Sequence, residues 1–293
     1  MMKKTEVHDF SLEKSVTCGQ IFRWEKTGDS YYITAGDRII KARQEGNTLF
    51  YECSKGGEDF IRKYFSLDCD YKKIIAEISK DKKIRKAVKS AYGLHLISQE
   101  PFECMISYIS SAASNIPRIR KNMNSIAKRF GHEISLGAYK SYSFPTPEEM
   151  LCCKSIEDEA RLCGLGFRSK FYPKAISEVI NAGAGKNLTP NNAFLEYFAR
   201  LKKMDYLSAK KELVRLSGIG GKVADCILAF SLGFSEAFPT DVWIRRVVEE
   251  FYFPKKKISI REAEDFGRKY FGKRAAYAQE FLYYWRRLPK AKG

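Results

Sequence analysis

Residues 213–230 read L-V-R-L-S-G-I-G-G-K-V-A-D-C-I-L-A-F, and residues 238–241 follow as F-P-T-D. Apolar residues recur at helical spacing on both sides of three glycines, Gly218, Gly220 and Gly221. Glycine-rich clusters of this kind mark tight turns. The stretch therefore predicts a helix, a hairpin and a second helix over 213–233, with the second helix beginning at about Lys222.

The hairpin has the chemistry of a phosphate site. Glycines permit positive φ and a close approach of the main chain to a ligand. The unpaired N–H groups at the start of the second helix add the positive end of its dipole. We expect Gly218, Gly220, Gly221 and Lys222 to contact a nucleic-acid backbone, although a glycine turn between helices is often only a turn.

Lys222 and Asp241 are the candidate catalytic residues. A positive charge is disfavoured in the first turn of a helix, so the amine of Lys222 should lose its proton readily and become a nucleophile. The competing interpretation is a simple phosphate contact. Asp241 precedes an apolar helical run, where its ordinary role is the N-cap, and a capping carboxylate can also serve in catalysis.

The string L-S-G-I-G-G-K-V-A-D-C at 216–226, with P-T-D at 239–241, resembles the helix-hairpin-helix-GPD superfamily of base-excision DNA glycosylases. Members with a lysine in this place remove a base and then nick the strand. The resemblance therefore implies that Lys222 and Asp241 are catalytic and that the chain is bifunctional.

The charge composition of the chain also favours nucleic acid as a partner. The chain has 293 residues with 52 Lys+Arg against 35 Asp+Glu, a net charge of +17, which favours a polyanion such as nucleic acid or an anionic membrane surface. No apolar run approaches the roughly 20 residues of a membrane span, and because no charged-then-apolar run stands among the first residues we expect no leader segment. We expect a soluble, intracellular monomer of the cytoplasm or nucleoid.

The cysteines and histidines predict no metal site. Eight cysteines occur without a CxxC pair, and the three histidines lie far apart in sequence. The C-terminal part also lacks the cysteine quartet that binds an iron–sulfur cluster in some relatives. We therefore expect no metal and no other cofactor.

The chain divides into two regions. In residues 1–98, β-rich runs at 20–24, 31–35, 38–42 and 48–52 alternate with hairpin signals, and helical periodicity covers 60–91. Residues 99–293 read as almost wholly helical, with a helix start at Thr146 and Pro147 and a loop at 181–190. The fold class is α+β: an N-terminal antiparallel β-sheet domain (TBP-like) packed on a two-part helical catalytic region.

Within that resemblance, several residues match the pocket of the 8-oxoguanine subfamily. Gly19, in C-G-Q-I-F-R-W at 18–24, matches a glycine whose carbonyl meets the N7–H that guanine lacks. Gln279 matches the residue that reads the Watson–Crick edge, and Tyr283 and Cys226 match the two sides of a base sandwich, with Phe230 beside them. Without the family, such a glycine is more often a bulge and such an aromatic stripe is core.

A second set of matches faces the opposite strand. Asn115 and Arg118 match residues that contact the base opposite the lesion, and Ala113 stands where the subfamily usually has asparagine. Phe167 matches the wedge that fills the vacated stack, and Arg168 matches a contact to the orphaned base. The plain alternative is a core phenylalanine beside a surface arginine. Trp243 replaces a family histidine that contacts phosphate.

The chain as a whole resembles 8-oxoguanine DNA glycosylase/AP lyases. This implies excision of 8-oxoguanine from double-stranded DNA through a lysine Schiff base, followed by β-elimination, as a step of base-excision repair. Two alternatives remain open: a glycosylase of the same scaffold for another damaged base, and a non-catalytic helix-hairpin-helix DNA-binding module.

Overall fold

The computed structural model describes residues 2–183, 185 and 188–288 of the chain. Within these residues an antiparallel sheet near the N-terminus packs beside a larger helical part. The predicted α+β class is confirmed. No helix in the described ranges is long and apolar enough to cross a membrane.

Five strands form one antiparallel sheet in the spatial order β1-β5-β4-β3-β2. Their bounds are β1 Lys3–Glu6, β2 Trp24–Thr27, β3 Ser30–Ala35, β4 Arg38–Glu45 and β5 Thr48–Cys53. Gly28, Gly36 and Gly46 have φ of 61°, 59° and 54° and form the tight turns between β2, β3, β4 and β5. The predicted meander is therefore confirmed, and β1 extends it at the β5 edge.

The segment before β2 differs from the prediction. The strand expected at 20–24 is wrong, because β2 begins only at Trp24. The Gln20 side chain instead holds this segment in place, donating to the carbonyls of Ser15 and His95 and accepting from the Ile97 amide. Side-chain bonds thus replace a strand ladder here, and a short helix, α1 Leu12–Thr17, precedes them.

Most of the remaining chain is helical. The helices are α2 Glu58–Tyr64, α3 Tyr71–Ile78, α4 Arg85–Ala91, α5 Pro101–Ser110, α6 Ile116–Phe130, α7 Pro147–Leu151, α8 Ile156–Ala160, α9 Phe171–Gly183, α10 Pro190–Lys202, α11 Tyr206–Val214, α12 Gly221–Ile227, α13 Val242–Tyr252, α14 Ile260–Phe271 and α15 Ala275–Arg287. Side-chain caps fix several starts, including the predicted one at Thr146, where Glu149 completes a capping box. The predicted loop at 181–190 begins later, since α9 runs to Gly183, and residues 184, 186 and 187 lie outside the described part.

One hairpin interrupts the region that was predicted as almost wholly helical. Strands β6 Glu133–Leu136 and β7 Tyr139–Tyr142 pair across a turn at Gly137. Tertiary contacts stabilise so short a hairpin: the ring of Tyr139 stacks on Tyr32 with centroids 4.3 Å apart. The deciding contact lies far away in sequence, so local periodicity could not reveal it.

The buried apolar side chains form two clusters. One lies under the sheet and includes Ile33, Ile40 and Leu49. The other fills the helical part and also takes in residues of α3 and α4, which precede residue 98. The division of the chain at residue 98 stays a prediction.

Candidate active site

The helix-hairpin-helix is present as predicted. Helix α11 ends at Val214 and α12 begins at Gly221. Gly218 has φ of 80°, and a Cβ there would lie 2.7 Å from the Cβ of Phe171, so only glycine fits. Gly220 is exposed, and apart from its chain neighbours no atom of the described residues lies within 4 Å of the position a Cβ would take, so a ligand could approach the backbone at this position.

Two carboxylates, a half-buried one at Glu178 and a buried one at Asp225, hold the hairpin in place. Glu178 accepts from the amide and hydroxyl of Ser217 at 2.6 and 2.8 Å. Asp225 on α12 accepts from Tyr206 at 2.6 Å and from Lys210 at 3.0 Å, both on α11. These bonds fix α12 against its neighbours. They therefore also fix the backbone position of Lys222, which lies on α12.

Lys222 and Asp241 meet at one cavity of about 430 Å³. Nζ of Lys222 donates to Oγ of Ser111 at 2.9 Å and lies 5.0 Å from the ring centroid of Tyr108. Asp241 caps α13, with Oδ1 accepting from the Ile244 amide at 2.8 Å. The expected cap is confirmed, and the same carboxylate faces the cavity that holds the lysine.

The predicted base-recognition residues surround the same cavity. Its lining includes Gly19, Cys226, Phe230, Gln279 and Tyr283. Gln279 is 4% exposed and its Oε1 has no hydrogen-bond partner among the described residues, which leaves an unsatisfied buried acceptor in a residue that lines the cavity. Burial raises the pKa of the Cys226 thiol to about 12, so this wall of the cavity is uncharged at neutral pH.

The backbone conformation at position 19 favours glycine. Its φ is 107°, and a Cβ would lie 2.7 Å from Cδ1 of Ile116 and 2.8 Å from Nη1 of Arg287. The Arg287 guanidinium donates to the carbonyl of Cys18 and so ties this segment to α15. The positive φ therefore favours glycine at this position, where the main chain lines the cavity.

Comparison with known proteins identifies the family. Residues 2–105 match the family model described as 8-oxoguanine DNA glycosylase, N-terminal domain. The N-glycosylase/DNA lyase of Saccharomyces cerevisiae is 30% identical over 265 residues, covering 83% of this chain and 69% of the yeast protein. The chain belongs to the 8-oxoguanine DNA glycosylase family.

Two further relatives extend the match along the chain. The Arabidopsis thaliana N-glycosylase/DNA lyase OGG1 is 26% identical over 291 residues, covering 94% of this chain and 77% of the plant protein. A solved structure of Clostridium acetobutylicum 8-oxoguanine glycosylase/lyase, in complex with double-stranded DNA containing cytosine opposite 8-oxoG, is 28% identical. It superposes with a TM-score of 0.86 over 97% of both chains.

The sequence predicts that Asn115, Arg118 and Phe167 of this glycosylase contact the strand opposite the lesion. In the structure, Asn115 lines the cavity, and Arg118 and Phe167 lie outside it. Asn115 lines the cavity and caps α6, accepting from the amide of the exposed Arg118 at 2.9 Å. Phe167 is 57% exposed, as a wedge requires and a core phenylalanine would not be. Their contacts to a partner base stay predictions.

Arg168 differs from the exposed Phe167 in its burial. It is buried, and its guanidinium donates to the carbonyls of Ala112, Ala113 and Leu165. In this structure the side chain ties the wedge segment to the loop before α6. Ala113 itself has φ of 47°, a left-handed conformation that alanine rarely adopts.

Several lining residues of the cavity were not predicted from the sequence of this glycosylase, and three of them have polar groups beside the proposed site. Ser111, the hydrogen-bond partner of Lys222, carries no sequence signal of its own. Arg287 and Glu280 line the cavity from α15. A signal for Glu280 did exist, because it is the single charged residue in the otherwise apolar and aromatic run at 276–285 around Gln279.

Proposed function

We propose that this enzyme excises 8-oxoguanine from double-stranded DNA and then nicks the strand, with Lys222 as nucleophile and Asp241 as its electrostatic partner. One observation carries the assignment of residues. An amine and a carboxylate from separate segments line one cavity, together with Gly19 and with Gln279, whose Oε1 has no partner within the part of the chain that the structure describes. A DNA-binding module would need the hairpin but not this cavity.

Binding begins with the phosphate backbone. The hairpin amides and the net charge of +17 favour a polyanion. The damaged base leaves the stack and enters the cavity between Cys226 and Tyr283, while Phe167 fills the space it leaves. Gln279 then meets the Watson–Crick edge, and the Gly19 carbonyl accepts the N7–H that only the oxidised base has.

The chemistry proceeds in two steps. The neutral amine of Lys222 forms a bond to C1′ as the C1′–N9 bond breaks and the base leaves with the electron pair. Asp241 stabilises the positive charge that develops on the sugar. The sugar ring opens to a Schiff base, a proton leaves C2′, and the C3′–O bond breaks by β-elimination, which nicks the strand.

The test uses purified enzyme and duplexes with one 8-oxoguanine opposite each of the four bases. We expect a nicked strand in every productive duplex and a covalent adduct when borohydride reduces the Schiff base. Nicking of a duplex with another damaged base in preference to 8-oxoguanine would assign the scaffold to that lesion. Tight, salt-sensitive binding without any product would identify a binding module.

Ala113→Asn is expected to sharpen the preference for cytosine opposite the lesion. Asparagine tolerates the left-handed backbone at this position better than alanine and adds hydrogen-bonding groups facing the partner base. A good base contact discriminates by about 1–3 kcal/mol, so the ratio of rates opposite cytosine and adenine should rise about tenfold. An unchanged ratio in single-turnover assays would show that position 113 does not contact the partner base.

We also propose that the enzyme works as a monomer where the genomic DNA lies, in the cytoplasm or nucleoid. All residues assigned to the cavity come from one chain, so no second copy is needed to complete it. Sedimentation of the free enzyme and of its complex with one duplex would test the stoichiometry.

A further inference from the structure

Glu280 is an unused carboxyl inside the lesion cavity. It follows Gln279 on α15, is 2% exposed and lines the cavity. Its Oε1 has no hydrogen-bond partner within the described part of the chain. Buried polar atoms in folded proteins are nearly always paired, so Glu280 keeps an unsatisfied hydrogen-bonding group in the wall of the cavity.

The carboxyl lies on the Gly19 side of the cavity. Successive residues of a helix are turned by about 100°, so Gln279 and Glu280 address different edges of a bound base. Arg287, seven residues after Glu280, shares its helix face and donates to the Cys18 carbonyl. The Cys18 thiol lies beside the Glu280 carboxyl. Glu280 therefore borders the segment that carries Gly19.

Burial favours the neutral form of this carboxyl. It raises the pKa of Glu280 to about 7, outweighing the opposing effects of the Cys18 thiol and the cations. The charged and titratable groups that act on it come from several elements: Cys18 after α1, Tyr108 on α5, Lys222 and Cys226 on α12, Asp241 before α13, and Arg287 on α15. Near neutral pH a large share of the molecules carries a proton on Glu280.

A neutral carboxylic acid complements the oxidised edge of the base. In 8-oxoguanine this edge presents O6 as an acceptor and N7–H as a donor, whereas guanine presents two acceptors. A protonated carboxyl offers one donor and one acceptor side by side. An ionised carboxylate has only acceptors and would repel O6.

We propose that Glu280, in its neutral form, is a specificity-determining residue that reads the O6/N7–H edge of the extruded base together with Gly19. Its O–H donates to O6, and its second oxygen accepts from N7–H beside the Gly19 carbonyl. This inference rests on the proposed function, because it requires that the cavity receives an oxidised guanine.

The experiment measures kcat/KM for 8-oxoguanine removal between pH 5.5 and 9 in the intact enzyme and two variants. The rate of the wild type relative to Glu280→Gln should fall about tenfold per pH unit above the pKa near 7, because the neutral form that binds disappears as pH rises while all other pH effects are shared by the two enzymes. Glu280→Gln keeps a donor and an acceptor at every pH, so it should stay within about threefold of wild type at pH 6 and lack the alkaline loss. Glu280→Leu should be at least about tenfold slower than the wild type at pH 6, and its rate relative to Glu280→Gln should not change with pH.

Two controls separate the outcomes. Glu196→Gln makes the same charge change on the exposed face of α10 and should reproduce the wild-type profile. A duplex that already contains an abasic site has no base to read, so the loss in Glu280→Leu should be at least about tenfold larger on 8-oxoguanine than on this duplex. A Glu280→Gln enzyme that keeps the wild-type alkaline loss, or that is as slow as Glu280→Leu at pH 6, would overturn the inference. Failure of the wild type to form a borohydride adduct on the abasic duplex would instead overturn the proposed function.

Discussion

Lys222→Gln is expected to abolish the borohydride-trapped adduct and to slow 8-oxoguanine excision at least about a thousandfold. Glutamine has nearly the length and polarity of lysine, but its amide cannot attack C1′ or form a Schiff base. Loss of a covalent nucleophile typically costs several orders of magnitude in rate. Single-turnover excision and electrophoresis of the reduced adduct measure the two effects separately.

The matched control for this substitution is Lys202→Gln. Lys202 is exposed near the end of α10, outside the cavity, and the substitution removes the same charge. The control should retain the adduct and the wild-type rate. A Lys222→Gln enzyme that still forms the adduct would show that another amine of the chain is the nucleophile.

Asp241→Asn is expected to reduce excision about a hundredfold or more while leaving the fold nearly as stable as wild type. Asparagine caps a helix about as well as aspartate, so the bond from the Ile244 amide should survive. Its side chain has no negative charge, and the transition state on the sugar loses its electrostatic stabilisation. Single-turnover rates and thermal unfolding, measured on the same preparation, provide the comparison.

Asp241→Ala completes this test because it removes the cap as well as the charge. Its rate should resemble that of Asp241→Asn, and its free energy of unfolding should fall by a further amount of about 1 kcal/mol. If activity instead follows stability, with Asp241→Asn close to wild type and Asp241→Ala impaired, Asp241 is a structural cap and not a catalytic carboxylate.

The sequence predicted the parts of the site that depend on local backbone geometry. The glycine hairpin and the start of α12 at Gly221 follow from residue types within a few positions of one another. The cap at Asp241 follows in the same way from the apolar run after it. These features are local, so spacing and residue type suffice to find them.

Features that depend on distant contacts were not predictable in this way. The strand expected at 20–24 is displaced because Gln20 bonds to His95 and Ile97. The β6–β7 hairpin depends on the sheet beside it. The sequence allows Arg168 to be interpreted as a surface arginine, yet its guanidinium is buried and donates to three backbone carbonyls. Such outcomes require knowledge of which segments meet in space.

The Gly19 segment reaches the cavity from outside the helices that carry the nucleophile. It is fixed by Gln20 and by the bond from Arg287 to Cys18, while Lys222 is fixed by the bonds that hold α12. Mutations can therefore change the Gly19 segment without changing the position of Lys222, and the reverse also holds. Specificity for a new lesion can evolve through substitutions around Gly19 while the helices that carry the nucleophile Lys222 are inherited unchanged.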